Sequence, residues 1–300
     1  MVVVKAKVIL TGFLLAFGFQ LSAIRVESAQ QKDKRVAAPN LLTRTTTRRE
    51  GRRFGYGGTV TVIGASNGSI TVEGWPRSEV EVIAEIEQKA ETEEDLNRLA
   101  AVNSFVFDDD VNHVSILTTG THDKAYLRRV AKGFPKHLLG LPWKIDYRIR
   151  VPASIDLEIN AGRGPIKLSG VEGSVRLSAT EADAQLTLIG GVVSATVATG
   201  SVLLSIPVRS WRGGGADLRV ASGTLTLEVP PGFNGDIDGE VLRTGKIEDN
   251  HGELQSREKP GITATSMKAR AGVGGPYFKL TVGEGKLVIR RLGSVGSNGQ

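Results

Sequence analysis

The chain has 300 residues with no cysteine, 37 glycines, 5% aromatics and a formal charge of +6. The lack of cysteine excludes a disulfide framework, a thiol nucleophile and a cysteine zinc site, and high glycine with few aromatics favours strands and tight turns over helix bundles. The charge is uneven: residues 1–28 carry +2 and residues 29–58 carry +6, which leaves −2 for the rest, so basicity belongs to a tail and not to the body.

The N-terminus reads as a secretory signal over residues 1–28. Lys5 and Lys7 precede an apolar run at 8–19, and small residues follow at Ser22, Ala23, Ser28 and Ala29. The alternative is an uncleaved anchor, but Thr11, Gly12, Gly18, Gln20 and Ser22 interrupt the run and leave it short for a span. Without cysteine, a bacterial lipid anchor at the cleavage site is not expected. Export would place the mature protein in the periplasm, at the cell surface or outside the cell, and argues against nucleic acid as a partner. Residues 29–56 read as a basic disordered linker, able to contact a polyanion such as anionic lipid or acidic polysaccharide.

Residues 57–87, "GGTVTVIGASNGSITVEGWPRSEVEVIAEIE", alternate with period two: Val60, Val62, Ile70, Val72, Val80, Val82 and Ala84 share a face. Breaks at Asn67-Gly68 and Trp75-Pro76 predict three short strands. Residues 88–104 change period. Leu96, Leu99, Ala100 and Val102 form a helical stripe, with Glu91, Glu93 and Glu94 near its start, where the helix dipole favours acids. This one peripheral helix is expected to cap an end of the body. Strands follow at 113–120 and 143–152. The basic, partly apolar stretch between them is expected to be a long hairpin excursion, because Gly133 and Pro135 stop any helix early. A membrane- or partner-contacting arm is the other reading.

From residue 157 the apolar positions recur every nine residues. Leu157, Ile166, Val175, Ala184, Val193 and Val202 form one series. Ile159, Leu168, Leu177, Leu186, Ala195 and Leu204 form a second, and Ala161, Gly170, Ala179, Leu188, Val197 and Ile206 a third. Polar residues such as Lys167, Arg176, Gln185, Ser194 and Thr196 stand between them. The spacing resumes after "PVRSWRGGG" with Ala216, Leu218, Val220 and Leu225, Leu227, Val229, and again with Phe278, Leu280, Val282, Leu287 and Ile289. One such strand cannot hide its aliphatic face alone, whereas stacked copies pool their faces into a shared core. The predicted fold is therefore all-β, a parallel β-helix-like solenoid or β-roll with about two strands per 18-residue rung. An antiparallel meander or sandwich also fits the spacing, although Asn-Gly and Asp-Gly hairpin turns are largely missing between the units.

The phrases "NGSITVEGWPRSEVEV", "IDYRIRVPASIDLEINAGRGPIKLSGVEGSVRLSA" and "ASGTLTLEV" resemble the bacterial putative-adhesin family, a domain family without assigned function. The resemblance covers residues 57–292 and rests most on Gly68 to Trp75 followed by Arg150-Val151-Pro152. It implies a β-helix-like solenoid and a setting in the bacterial envelope. It supplies no catalytic residues. The family's Asn-Gly-Asp turn is replaced here by "AGRGP" at 161–165 and "ATGS" at 198–201, so a uniform Asn ladder is not expected. Residues 293–300 read as a flexible tail.

Little in the chain points to chemistry. Asp108, Asp109 and Asp110, with His113 nearby, would point to opposite faces on a strand, so a solvated turn is the expected reading rather than a cation site. His113, His122, His137 and His251 lack metal-ligand spacing, and no serine sits in a Gly-x-Ser-x-Gly elbow. Gly162 and Gly164 suit a tight turn better than a phosphate cradle. Glu181 and Asp183 are isolated turn residues, not an acid–base pair. Trp75, Trp143 and Trp211 lie beside turns and are expected to pack as lids on the core rather than to stack on sugars. No catalytic, cofactor-binding or metal residue is assigned. The expected function is that of a non-enzymatic structural or binding protein of the envelope, with an envelope or extracellular partner such as a polysaccharide. A carbohydrate-active enzyme on a β-helix scaffold and an envelope-stress regulatory partner are the alternatives.

Overall fold

A computed structural model describes residues 41–55 and 57–293. The expected signal at 1–28, the expected linker up to residue 40 and the expected tail beyond Gly293 lie outside the described residues. The early strands are β1 (Leu42–Arg53), β2 (Thr59–Asn67), β3 (Ile70–Trp75), β4 (Glu79–Ala90), β5 (Ser104–Asp110), β6 (His113–Thr119) and β7 (Trp143–Pro152). The repeat region holds β8 (Asp156–Arg163), β9 (Ile166–Ser169), β10 (Ser174–Thr187), β11 (Gly190–Ser205) and β12 (Arg212–Val229). Last come β13 (Gly235–Val241), β14 (Gly245–Asn250), β15 (Gln255–Ser256), β16 (Ser266–Ala271) and β17 (Tyr277–Arg291). Helices α1 (Glu93–Ala100) and α2 (Lys124–Val130) and a 3-10 turn, Lys136–Leu138, lie in the 88–142 excursion. The structure is all-β, as expected. It has one helix more than the sequence reading assigned, because Asp123 accepts hydrogen bonds from the backbone N–H groups of Ala125 (2.8 Å) and Tyr126 (2.9 Å) and starts α2.

The nine-residue spacing becomes an eighteen-residue offset in the pairing. Val175 stands opposite Leu157 on one side and Val193 on the other, and Ala184 stands between Ile166 and Val202, all in parallel register. Two units thus make one layer with two arms. Along the first arm, β6, β2, β8, the leading halves of β10, β11, β12 and β17, and then β13 pair in parallel. Along the second arm the order is β7, β3, β9, the trailing halves of β10, β11, β12 and β17, and β14. Among the described residues, antiparallel pairs occur only towards the two ends: β5 with β6 and β1–β4–β7 at one, β13–β16–β15 at the other.

The inward series behave as the spacing requires. All eighteen positions from Leu157 to Ile206 are buried except Ala161, half-buried, and Gly170, exposed. Each buried aliphatic contributes about 1.5–3 kcal/mol as an upper estimate. The five-residue interruption before Arg212 is a lid. Trp211 is buried, donates its indole N–H to the Gly191 carbonyl at 3.0 Å and meets the Phe278 ring edge-on at 5.6 Å.

The bend between the two arms is a column of glycines. Gly68, Gly164, Gly200, Gly223, Gly285 and Gly245 all have φ between 123° and 147°. A Cβ at Gly200, Gly223, Gly285 or Gly245 would lie 1.8–2.2 Å from the carbonyl oxygen of the neighbouring layer. Only a residue without Cβ fits this conformation at this layer spacing. Ala182 stands opposite Gly200 in the same column.

The stacking order departs from chain order at both ends. The first layer in the chain, β2–β3, lies between β6–β7 and β8–β9. The last strand, β17, lies between β12 and the β13–β14 pair.

Part of the expected disordered linker is ordered. Residues Leu42–Arg53 form β1, antiparallel to β4. The strand has little buried apolar surface, so its side chains carry the pairing. Arg49 binds Glu81, with one Nε contact at 2.8 Å. Arg44 binds Glu93 and donates to Asn97 at 2.7 Å. The Arg48 guanidinium lies 4.5 Å over the Phe105 ring and that of Arg52 5.0 Å over Phe107. Helix α1, expected over 88–104 as a cap, occupies Glu93–Ala100 and packs on β4 beside the edge strand β1. Thr92 caps it by accepting from the Asp95 N–H at 3.1 Å.

Candidate functional site

Two surfaces stand out once the core is removed from consideration. The first is the outward face of the stack. In register along the first arm stand Glu158, Arg176, Ser194, Asp217, Lys279, Asp238 and Lys268. Along the second arm stand Lys167, Gln185, Leu203, Thr226, Val288 and Glu248. Many of the charges are mutually satisfied: Arg219 binds Asp217 at 2.7 Å, Arg270 binds Asp236 at 2.8 Å, and Arg290 binds Glu228 at 2.6 Å. The Tyr277 hydroxyl donates to Asp238 at 2.7 Å, and that hydrogen bond, with burial and the carboxylate charge, pushes its pKa up to about 12. Along the first arm this face is a polar ladder; along the second, Leu203 and Val288 interrupt it.

The second surface is the 121–142 excursion. Leu138 is buried with Ala90, Leu96 and Leu99, and Phe134 and Leu141 pack against them, which moors the excursion beside α1. His137 approaches Asp95 at 3.6 Å. Helix α2 ends at Val130, and Gly133 turns with φ 80°, as the expected helix break at 133–135 requires. Between α2 and the 3-10 turn lies an open cleft of about 530 Å³, lined by Leu127, Ala131, Phe134 and Leu139 and rimmed by Lys124, Arg128, Lys132 and Lys136. In a separate depression bounded by Thr121, Leu139 and Leu141, the His122 and Trp143 rings lie 5.4 Å apart at a 31° tilt; burial lowers the imidazole pKa against the opposing pull of Asp123.

The remaining candidates from the sequence fall outside these surfaces. Asp108, Asp109 and Asp110 are exposed at the end of strand β5, not in a turn, opposite Ser115, Val114 and His113. Among the described residues no group of three or more His, Asp or Glu is placed to hold a metal. His113 bonds Thr61 at 2.8 Å, and His251 is buried. Glu181 lies 3.4 Å from Arg163, and Asp183 accepts from Ser201 at 2.6 Å; both lie beside the glycine column. Gly164 belongs to that column, and Gly162 abuts the Ser66 backbone. Trp75 is half-buried, donates to the Glu79 carbonyl at 2.9 Å, and has the guanidinium groups of Arg77 and Arg150 over its ring at 5.0 and 5.6 Å. Trp143 is half-buried against the core. Among the described residues no helix is long and apolar enough to cross a membrane.

No family model matches the chain. No curated protein matches it either. Among solved structures it is similar to a putative cell adhesion protein from Clostridium sporogenes, at 11% identity over 82% of this chain and 100% of that one, with a TM-score of 0.37. It is also similar to a putative adhesin from Bacteroides fragilis (10% identity, 82% and 97% covered, TM-score 0.36). A third is a putative adhesin from Parabacteroides merdae (11% identity, 82% and 96% covered, TM-score 0.22).

Proposed function

We propose that the chain is an exported, non-enzymatic binding protein of the bacterial envelope, built as a solenoid of two strands per turn that presents its polar ladder to an extracellular or envelope partner. The observation that supports this reading most is the parallel register of the outward residues: Glu158, Arg176, Ser194 and Asp217 stand one layer apart on a continuous support. Neighbouring strands in a sheet lie about 4.8 Å apart, so an elongated partner with regularly spaced polar groups meets an array already in place. Preorganisation lowers the ordering cost of such a contact. A polysaccharide is the partner class that this repeat suits.

A glycan array probed with the full chain, with each bound glycan then analysed for cleavage, tests the proposal. Binding without turnover supports it. Bond cleavage would replace it with the carbohydrate-active enzyme, and absence of binding to every glycan would remove polysaccharide as the partner.

A further inference from the structure

We infer that the 121–142 excursion docks on the surface of an anionic lipid bilayer, with its cations on lipid headgroups and its apolar cleft against acyl carbon. Two independent observations meet there. The first is uncompensated charge. Residues 121–142 hold Lys124, Arg128, Arg129, Lys132 and Lys136 against Asp123 alone, a net +4 in a body whose remainder beyond residue 58 is otherwise acidic. Several cations elsewhere in the fold are paired: Arg49 with Glu81, Arg219 with Asp217, Arg257 with Asp238, Arg270 with Asp236. Lys124, Arg128, Lys132 and Lys136 are exposed and make no ion pair among the described residues. Lys124 and Arg128, four residues apart on α2, share one side of the helix, and Lys132 and Lys136 join them around the cleft.

The second observation is apolar surface at the same place. Leu139, which lines the cleft with Leu127, Ala131 and Phe134, is 37% exposed, and Val130, at the end of α2, is 56% exposed. A soluble polyanion would satisfy the cations and leave that cleft wet. An anionic bilayer offers both parts at the right depths: headgroup charge outside, acyl carbon beneath, with Lys and Arg stems covering the boundary. This contact does not depend on what the outward ladder binds.

The test is co-sedimentation of the full chain with vesicles of phosphatidylcholine alone and of phosphatidylcholine mixed with phosphatidylglycerol. The expected result is a preference for the anionic vesicles that falls roughly fivefold for each cation removed in the series Lys124→Gln, Arg128→Gln, Lys132→Gln and Lys136→Gln. Val130→Ser with Leu139→Ser should weaken binding to both vesicle types while keeping the anionic preference. Lys32→Gln, Lys34→Gln and Arg35→Gln together should leave the preference in place. The inference fails if the quadruple variant keeps the full preference, or if the tail variant alone abolishes it. It fails equally if dextran sulfate is bound as tightly as the vesicles and the serine variants change neither.

Discussion

Replacing Gly223 by alanine tests the glycine column directly. Gly223 has φ 142°, and an added Cβ would sit 1.8 Å from the Gly200 carbonyl oxygen. The backbone conformation alone costs a residue with Cβ about 1–3 kcal/mol. Relief of the clash requires the layer to part from its neighbour, which weakens ladder hydrogen bonds worth about 1 kcal/mol each. Together these come to roughly 3 kcal/mol or more, a fall in Tm of about 6–12 °C for a domain of this size. Thermal melting followed by circular dichroism measures it. Ala182→Gly is the control: the column already accepts Cβ there, and the change should cost only about 0.5–1 kcal/mol. If Gly223→Ala melts within about 2 °C of the parent, a shift of about 0.5–1 kcal/mol, close layer contact does not explain the glycines.

Leu218 is fully buried between layers, so Leu218→Ala should cost about 2–5 kcal/mol in urea titration. Asp146 accepts from the Ser69 N–H and hydroxyl, both at 2.7 Å, and from Lys144 at 3.0 Å; burial raises its pKa, but these bonds outweigh it and hold the carboxyl below its ordinary value. A depressed carboxyl stabilises the fold above its unfolded pKa of about 3.9, and this is lost as pH falls through the folded value. The stability gap between parent and Asp146→Ala should therefore be constant at neutral pH and close below about pH 4. Trp211→Phe keeps the lid but loses the hydrogen bond to Gly191, and should cost about 1 kcal/mol in the same titration.

How much of this was legible follows from which forces leave a pattern in sequence. Leu157, Val175 and Val193 stand in one inward row because burial selects aliphatics at fixed intervals, and that interval survives in the chain. The bend glycines were visible as turn residues at "NGSI", "AGRGP" and "ATGS", but their stacking was not; the signal is a glycine two residues before the first inward aliphatic of the second arm, as in Gly200 and Val202 or Gly223 and Leu225. Strand β1 left no such trace. Its pairing rests on arginines meeting acids and rings on β4, α1 and β5, so no period-two apolar pattern marks it. This also changes the basic tail: Arg44, Arg48, Arg49 and Arg52 are engaged within the fold, which leaves fewer of its cations for a polyanion. The cations of the 121–142 excursion could be read from sequence. The cleft could not, because it depends on Leu138 reaching the small core under α1, a contact between residues distant in the chain.

The placement of β17 has a mechanical consequence. Pulled by its C-terminal end, a stack laid down in strict chain order would peel one strand at a time from its edge. Here the last strand is gripped along both sides, by β12 and by β13 and β14. Tension on that end loads both seams in shear together, so extraction under force should appear as one large rupture rather than a staircase of small ones.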